Sequence, residues 1–235
     1  MEESNSSVQV VIPPKESFAK EWSSDQKAFK GVPWGKAMMW IFLVSDTFVF
    51  SIFLISYMTV RFSTKNAWPN PSEVFGLHVG QANVPLLLIA IMTFILITSS
   101  GTMALAVKYG YEKNRKMCGY LMLATAVLGA SFVGMQAFEW TKLIMEGVRP
   151  WSNPFGAPQF GAIFFMITGF HGTHVTIGVI FLFIMTYKVF RGHFDTGKRG
   201  FFTSQKSNYE AIEIMGLYWH FVDLVCCLLY TSDAA

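Results

Sequence analysis

Charged residues are scarce in this chain, and long uncharged runs take their place. Only 14% of its 235 residues are Asp, Glu, Lys or Arg, whereas 52% are hydrophobic. Soluble domains carry roughly a quarter charged residues, so this composition excludes an ordinary soluble protein. No charged residue lies between Arg149 and Lys188, and about 20 apolar residues suffice to cross a bilayer. The chain is therefore expected to be a membrane protein built from transmembrane helices.

Cysteine is also scarce. The three cysteines are Cys118 and the adjacent pair Cys226 and Cys227, a spacing that suits neither a disulfide framework nor a zinc site. The polar N-terminus has no basic segment leading into an apolar run, so no cleavable signal peptide is expected. The net charge of +3 is modest, and we expect no nucleic-acid partner.

Five apolar segments are long enough to span a bilayer. They cover residues 37–60, 84–107, 117–138 and 160–187, and a fifth begins after Glu213. We predict an all-α bundle of five transmembrane helices, with a turn-rich loop between the first two. The predicted organisation is a polar cytoplasmic tail over residues 1–33, a membrane domain over 34–225, and a truncated or artefactual end of the last helix over 226–235.

Lys and Arg fall unevenly on the two sides of this five-helix arrangement. Fourteen of the 18 lie in the N-terminal tail and in the connectors that follow the second and fourth spans. Because basic residues concentrate on the cytoplasmic side of membrane proteins, we predict a cytoplasmic N-terminus and an external C-terminus.

One acidic residue lies deep in the first span. Asp46 follows Lys36 by ten residues, which is about 15 Å along a helix and close to the middle of the bilayer. A carboxylate at that depth costs several kcal/mol unless it is paired or protonated. We therefore expect a functional role for Asp46. The alternative is an acid satisfied by Ser45, a neighbouring helix or a trapped water.

Two histidines mark the fourth span. His171 and His174 are three residues apart, so they fall on one face of a helix. The same helix carries three glycines, whose lack of a side chain lets a neighbouring helix approach closely. They are Gly169, Gly172 and Gly178. Polar side chains at this depth face protein, water or lipid headgroups rather than acyl chains.

Two further polar pairs have the same spacing of three residues. His220 and Asp223 share a face of the fifth span, and Gln136 and Glu139 share a face near the end of the third. An acid near the interface costs much less than one at the centre. For Gln136 and Glu139, a solvated helix end and a subunit contact are therefore equally open.

Three kinds of function fit these polar residues. Metal or haem ligation is disfavoured, because the deep histidines lie on only two spans and no pair of spans shows the Glu and Glu-x-x-His pattern of a di-iron bundle. A transporter could relay protons through Asp46, Glu139 and Asp223, although the hydropathy shows no inverted repeat. The third possibility is an accessory membrane subunit that binds lipid and a larger partner. We expect no catalytic residue and no metal site in this chain.

The motifs of all five spans resemble one known family. They are MWIFLVSD at 39–46, LITSSGTMALA at 96–106, QAFEW at 136–140, TGFHGTHVTIG at 168–178, and YWHFVD at 218–223 preceded by Glu213. The chain from 34 to 225 resembles subunit III of the haem-copper terminal oxidases, the cytochrome c oxidase type, in its short five-helix bacterial form.

The resemblance implies an accessory subunit without redox centres in a proton-pumping cytochrome c oxidase of aerobic respiration. Such a subunit packs directly on oxidase subunit I, alongside subunit II and the other subunits. Haem and copper are then expected in partner chains, and phospholipid is expected to bind this one in a bacterial cytoplasmic membrane. The alternatives are a quinol oxidase subunit III, a nitric oxide reductase associated subunit, or a stand-alone proton-coupled transporter.

The resemblance also implies roles for individual residues. Asp46 falls where the family often has a buried, carbodiimide-reactive Glu, which makes it a candidate for proton uptake. Asp is one methylene shorter than Glu. The long form of the family has seven helices, with lipids in a cleft between the first two and the other five, whereas this chain resembles the short five-helix form. The positions expected to contact lipid or other subunits are Gln136, Glu139, His171, His174, Glu213, Trp219, His220 and Asp223.

Overall fold

Five long helices make up most of the protein. The computed structural model describes residues 34–64, 68–69, 74, 76–79, 82–85, 87–154, 156–194 and 209–234. The helices are α1 (Trp34–Ser63), α2 (Leu87–Tyr111), α3 (Arg115–Met145), α4 (Gln159–Phe190) and α5 (Glu210–Ala234). All five are long and apolar enough to cross a membrane, so the predicted all-α membrane bundle is confirmed. The predicted tail over 1–33 and the basic residues Lys198, Arg199 and Lys206 lie outside the described residues.

The helices are longer than the hydrocarbon core requires. They contain 25 to 32 residues, or about 38–48 Å at 1.5 Å per residue, whereas the core is about 30 Å thick. Their ends therefore reach the headgroup region. α3 continues past the predicted end at Phe138 because no helix breaker occurs before Gly147, which has a positive φ of 92°. Residues 226–234 continue α5 as helix.

A short β-hairpin lies where the sequence predicts only a loop. It consists of β1 (Gly76–Val79) and β2 (Ala82–Pro85), which pair antiparallel with Gly76 opposite Pro85 and Val79 opposite Ala82. The second helix begins three residues later than predicted, because residues 84 and 85 belong to β2.

α3 is the middle of the bundle and packs against both α2 and α4. A tight turn joins α2 to α3, with Lys113 at a φ of 58° and the side chain of Asn114 accepting a hydrogen bond from the main-chain N–H of Met117 at 3.4 Å. α5 packs across α2, α4 and α1. α1 is the most peripheral helix, and one of its faces exposes large apolar side chains such as Trp40, Ile41 and Phe48.

Trp219 of α5 occupies the centre of the bundle. Its side chain is completely buried, and its indole N–H donates to the Ser99 hydroxyl of α2 at 3.0 Å. A Cβ atom at Gly129 of α3 would lie 2.5 Å from the indole, and one at Gly178 of α4 would lie 3.1 Å from it. A side chain at Gly129 would force the ring to move and one at Gly178 would crowd it, so the indole packs closely on α3 and α4, bonds α2, and joins four helices. We refer to Trp219 with Gly129 and Gly178 as the tryptophan slot.

The glycines of α4 differ in what they contact. Gly178 admits α5, as the sequence predicts, and a Cβ at Gly169 would lie 3.2 Å from the Trp140 ring. At Gly172, a Cβ would meet no atom of the described residues within 4 Å. The prediction of a close helix contact at Gly172 is therefore wrong for the described part of this chain.

Candidate polar site in the membrane core

Asp46 of α1 and His174 of α4 form a close pair near the middle of their helices. Nε2 of His174 lies 3.0 Å from Oδ2 of Asp46, and the two side chains are 15% and 9% exposed. The separation is that of an ion pair, although the two groups are not aligned as a hydrogen bond. Nδ1 of His174 lies 2.9 Å from the main-chain oxygen of Phe170. Of the settings weighed from the sequence, the structure shows an acid paired with a neighbouring helix.

His171 lies one turn before His174 in a different environment. Its side chain is buried between the rings of Phe50 and Phe132, whose centroids lie 6.3 and 6.2 Å from the imidazole. Neither ring nitrogen has a hydrogen-bond partner among the described residues. The two histidines therefore share the Phe50 ring as a contact, but among the described residues they have no polar partner in common.

His220 and Asp223 of α5 both reach one hydroxyl of α2. The Ser100 Oγ lies 2.6 Å from Nδ1 of His220 and also interacts with the Asp223 carboxylate. The predicted shared face is confirmed by this common partner. The arrangement is not a catalytic triad, because there the acid holds the histidine nitrogen opposite the one that faces the nucleophile. Ser100 lies in the LITSSGTMALA motif of α2, but nothing in that motif predicts its partners on α5.

Glu139 is buried rather than solvated. Its exposed fraction is 4%, and Nε2 of Gln136 lies 3.5 Å from its Oε2. The prediction of a solvated helix end is wrong, because α3 continues to Met145 and places Glu139 inside the bundle. Glu139 and Asp223 both lie near the buried thiol of Cys226, so the third and fifth helices bring acidic groups towards one another.

Glu213 ties three helices together at the end predicted to face the cytoplasm. The Lys36 Nζ of α1 lies 2.5 Å from its Oε1, and the Tyr111 hydroxyl of α2 donates to its other carboxylate oxygen. These partners are 177 and 102 positions away in sequence. No local spacing could have predicted them.

An apolar groove adjoins the Asp46–His174 pair. α1 and α4 touch where Phe50 meets Phe170, with ring centroids 5.4 Å apart. From this contact the two helices diverge towards the end of the bundle that carries Lys36. There a cavity of about 750 Å³ lies between α1, α4 and α5. Its lining runs from His174 to Met39 and Met185. We call this cavity the α1–α4 groove.

Metal binding has little support from the described side chains. No three His, Cys, Asp or Glu residues of the described ranges lie together as a metal site would require. The pairs described above can neutralise charge, hold helices in register and bind protons. The geometry thus defines a class of protein, an integral membrane bundle whose deep polar groups pair between helices.

Comparison with known proteins identifies the family. The family model described as "Cytochrome c oxidase subunit III" matches residues 21–233, and the chain belongs to that family. A relative from Staphylococcus epidermidis strain RP62A, named "Probable quinol oxidase subunit 3", is 28% identical over 197 residues, or 84% of this chain and 86% of the relative. A relative of the same name from Staphylococcus aureus strain COL is 29% identical with the same coverage.

The family comprises a non-catalytic subunit of the haem-copper oxidases, which are multi-subunit membrane complexes. The resemblance seen in the five sequence motifs is confirmed at this level. The chain is therefore a multi-pass membrane protein of an oxidase subunit III family.

Proposed function

We propose that this chain is the accessory subunit III of a proton-pumping haem-copper terminal oxidase in aerobic respiration. The observation that carries the proposal is the extent of the family match, which covers the whole bundle from residue 21 to 233. In this role the chain packs on the subunit that holds haem and copper and stabilises it. It contributes helix surface and buried polar groups rather than a redox centre.

The exposed apolar faces support a role in assembly and lipid binding. α1 exposes Trp40 and Phe48, and α4 exposes Ile180 and Ile184. Within a membrane such faces contact acyl chains or the helices of other subunits. The α1–α4 groove offers an apolar space for a lipid chain, and Lys36 and Glu213 lie at the same end of the bundle. Subunit I is the direct partner that we expect.

Two versions of the complex differ in their electron donor, which is either cytochrome c or a quinol. The sequence prediction names cytochrome c, and quinol oxidase is the second candidate because the relatives described above carry that name. The location we propose is a bacterial cytoplasmic membrane with the N-terminus inside, in keeping with the distribution of Lys and Arg and with bacterial relatives.

Gentle purification through an N-terminal tag tests the proposal. The expected product is a coloured complex that contains a large histidine-rich partner and shows haem bands in a reduced-minus-oxidised spectrum. Oxygen uptake is then measured with reduced cytochrome c and with a quinol as alternative donors, and the faster donor decides between the two versions.

A parallel purification with the tag on an unrelated transmembrane protein from the same cells controls for carry-over of oxidase. A colourless chain that purifies without partners would overturn the proposal and favour the transporter. A complex with only haem b that reduces nitric oxide rather than oxygen would instead favour the nitric oxide reductase branch.

A further inference from the structure

We propose that the connection between α3 and α4 is a membrane anchor, in which Trp151 inserts its indole among the lipid headgroups at the end of the bundle opposite Lys36. We call residues 147–154 the anchor loop. The inference does not depend on the identity of the oxidase, because it requires only that the bundle crosses a bilayer.

Trp151 differs from the buried tryptophan of the bundle centre in its surroundings. Its side chain is 76% exposed, whereas Trp219 is completely buried. An indole carries a large apolar surface, so leaving it in water forgoes the free energy that its burial would recover. Arg149, which is also exposed, belongs to the same turn. An exposed indole beside a basic side chain is typical of the headgroup region, where the ring meets apolar groups and the cation meets phosphates.

Main-chain and side-chain hydrogen bonds hold the anchor loop in one shape. The N–H of Arg149 donates to the main-chain oxygen of Ser152 at 2.7 Å, and the N–H of Ser152 donates to that of Arg149 at 3.1 Å. Trp151 therefore lies at the tip of a closed turn. After the turn, the Asn153 amide donates to the main-chain oxygen of Ala157 at 2.9 Å. A preorganised turn loses less conformational entropy when its indole is inserted.

The depth of the anchor loop follows from its contact with α4. A Cβ at Gly161 would overlap the main-chain oxygen of Arg149, so the loop lies directly on the first turn of the helix. Gly161 precedes His174, in the middle of α4, by 13 residues, or about 20 Å along the helix. The hydrocarbon core ends at about 15 Å from the bilayer centre and the headgroups at about 20–22 Å. Arg149 and the neighbouring Trp151 are therefore at the level of the headgroups.

Other exposed side chains at this end of the bundle favour lipid over a protein partner. Met145 at the end of α3 is 83% exposed, and Phe62 at the end of α1 is 85% exposed. Large apolar groups thus occur at this level on more than one helix of the bundle. A bilayer surrounds all of these helix ends, whereas a single partner subunit would cover one side.

Fluorine-19 magnetic resonance of the full-length chain in lipid nanodiscs tests the depth of the indole. The chain is labelled with 5-fluorotryptophan, and Trp151→Phe and Trp219→Phe assign two of the signals. The lipids carry a nitroxide either near the top of the acyl chain or at its end. We expect the upper nitroxide to broaden the Trp151 signal more than the lower one does, and more than it broadens the Trp219 signal. Stronger broadening of Trp151 by the lower nitroxide, or none by either, would overturn the proposal.

Photochemical cross-linking in native membranes separates lipid from protein as the partner in the assembled complex. Trp151 is replaced by the photoreactive p-benzoylphenylalanine, and the irradiated chain is analysed by mass spectrometry. We expect a phospholipid adduct on this chain. The same replacement at Phe132, which is completely buried, is the matched control and should give none, and a sample kept in the dark controls for carried-over lipid. A cross-link from position 151 mainly to another subunit would overturn the proposal, as would the absence of any lipid adduct there.

Discussion

The tryptophan slot and the Asp46–His174 pair both join helices near the middle of the bundle, but by different means. In the slot, Trp219 fits against two glycines and its single polar atom is satisfied by Ser99. At the pair, α1 meets α4 through two ionisable groups beside a cavity of about 750 Å³. Side-chain packing joins α2 to α5 around Trp219, whereas a pair of ionisable groups joins α1 to α4.

This contrast indicates that α1 and the other four helices are held in the bundle by different interactions. α2 to α5 form a closely packed unit in which larger side chains are poorly tolerated, because interiors without voids accommodate added volume poorly. α1 has fewer contacts with that unit, and its polar contacts through Asp46 and Lys36 therefore account for more of its attachment.

Gly129→Leu is expected to be the most damaging change. The new side chain would overlap the Trp219 ring, since even a Cβ at this position lies 2.5 Å from it. We expect a loss of about 3 kcal/mol in the free energy of unfolding in mild detergent, the upper end for overpacked cores. The matched control is Gly172→Leu on α4, which meets open space among the described residues. Equal losses for the two variants would contradict the slot.

Trp219→Phe should cost less, because it removes volume and a hydrogen bond without a clash. We expect a loss of about 2 kcal/mol from the cavity and the lost hydrogen bond, while the Ser99 hydroxyl keeps its bond to the main-chain oxygen of Leu96 at 2.7 Å. Ser99→Ala keeps the indole volume but removes the acceptor of the indole N–H, and should cost about 1 kcal/mol. The two variants are compared by thermal unfolding in the same detergent, and a larger loss for Ser99→Ala would show that the indole volume is unimportant.

Breaking the Lys36–Glu213 ion pair should have the smallest effect on stability. The two side chains are 30% and 25% exposed, so solvent weakens their attraction. A double-mutant cycle with Lys36→Met and Glu213→Gln is expected to give a coupling energy of about 0.5–1 kcal/mol that decreases in high salt. A coupling energy indistinguishable from zero in low salt would mean that this pair does not help to attach α1.

Much of the fold is visible in the sequence because transmembrane helices are encoded locally. Each span appears as a long, predominantly apolar run, and Gly147, with its positive φ, closely follows the end of α3 at Met145. The predicted end at Phe138 is too early, because Glu139 looks like an interfacial acid in the sequence alone. A buried acid and a solvated acid look alike in sequence when the partner lies on another helix.

The polar contacts were only partly predictable. The depth of Asp46 predicts that it needs a partner, and the structure places His174 beside it, but no sequence spacing connects the two residues. The rotation of each helix about its axis decides whether a side chain meets a neighbour, which is why Gly178 contacts α5 and Gly172 does not. That rotation follows from packing between distant segments, and a single sequence does not encode it locally.

The central claim is that the histidines within the transmembrane helices of this chain serve structure rather than redox chemistry within an oxidase. The most direct test is the reduced-minus-oxidised spectrum of the assembled complex carrying His171→Ala together with His220→Ala. The account predicts haem bands equal to those of the wild type per catalytic subunit, even if the variant complex loses subunit III or lipid more readily. Loss of a haem band from a fully assembled variant complex would contradict it.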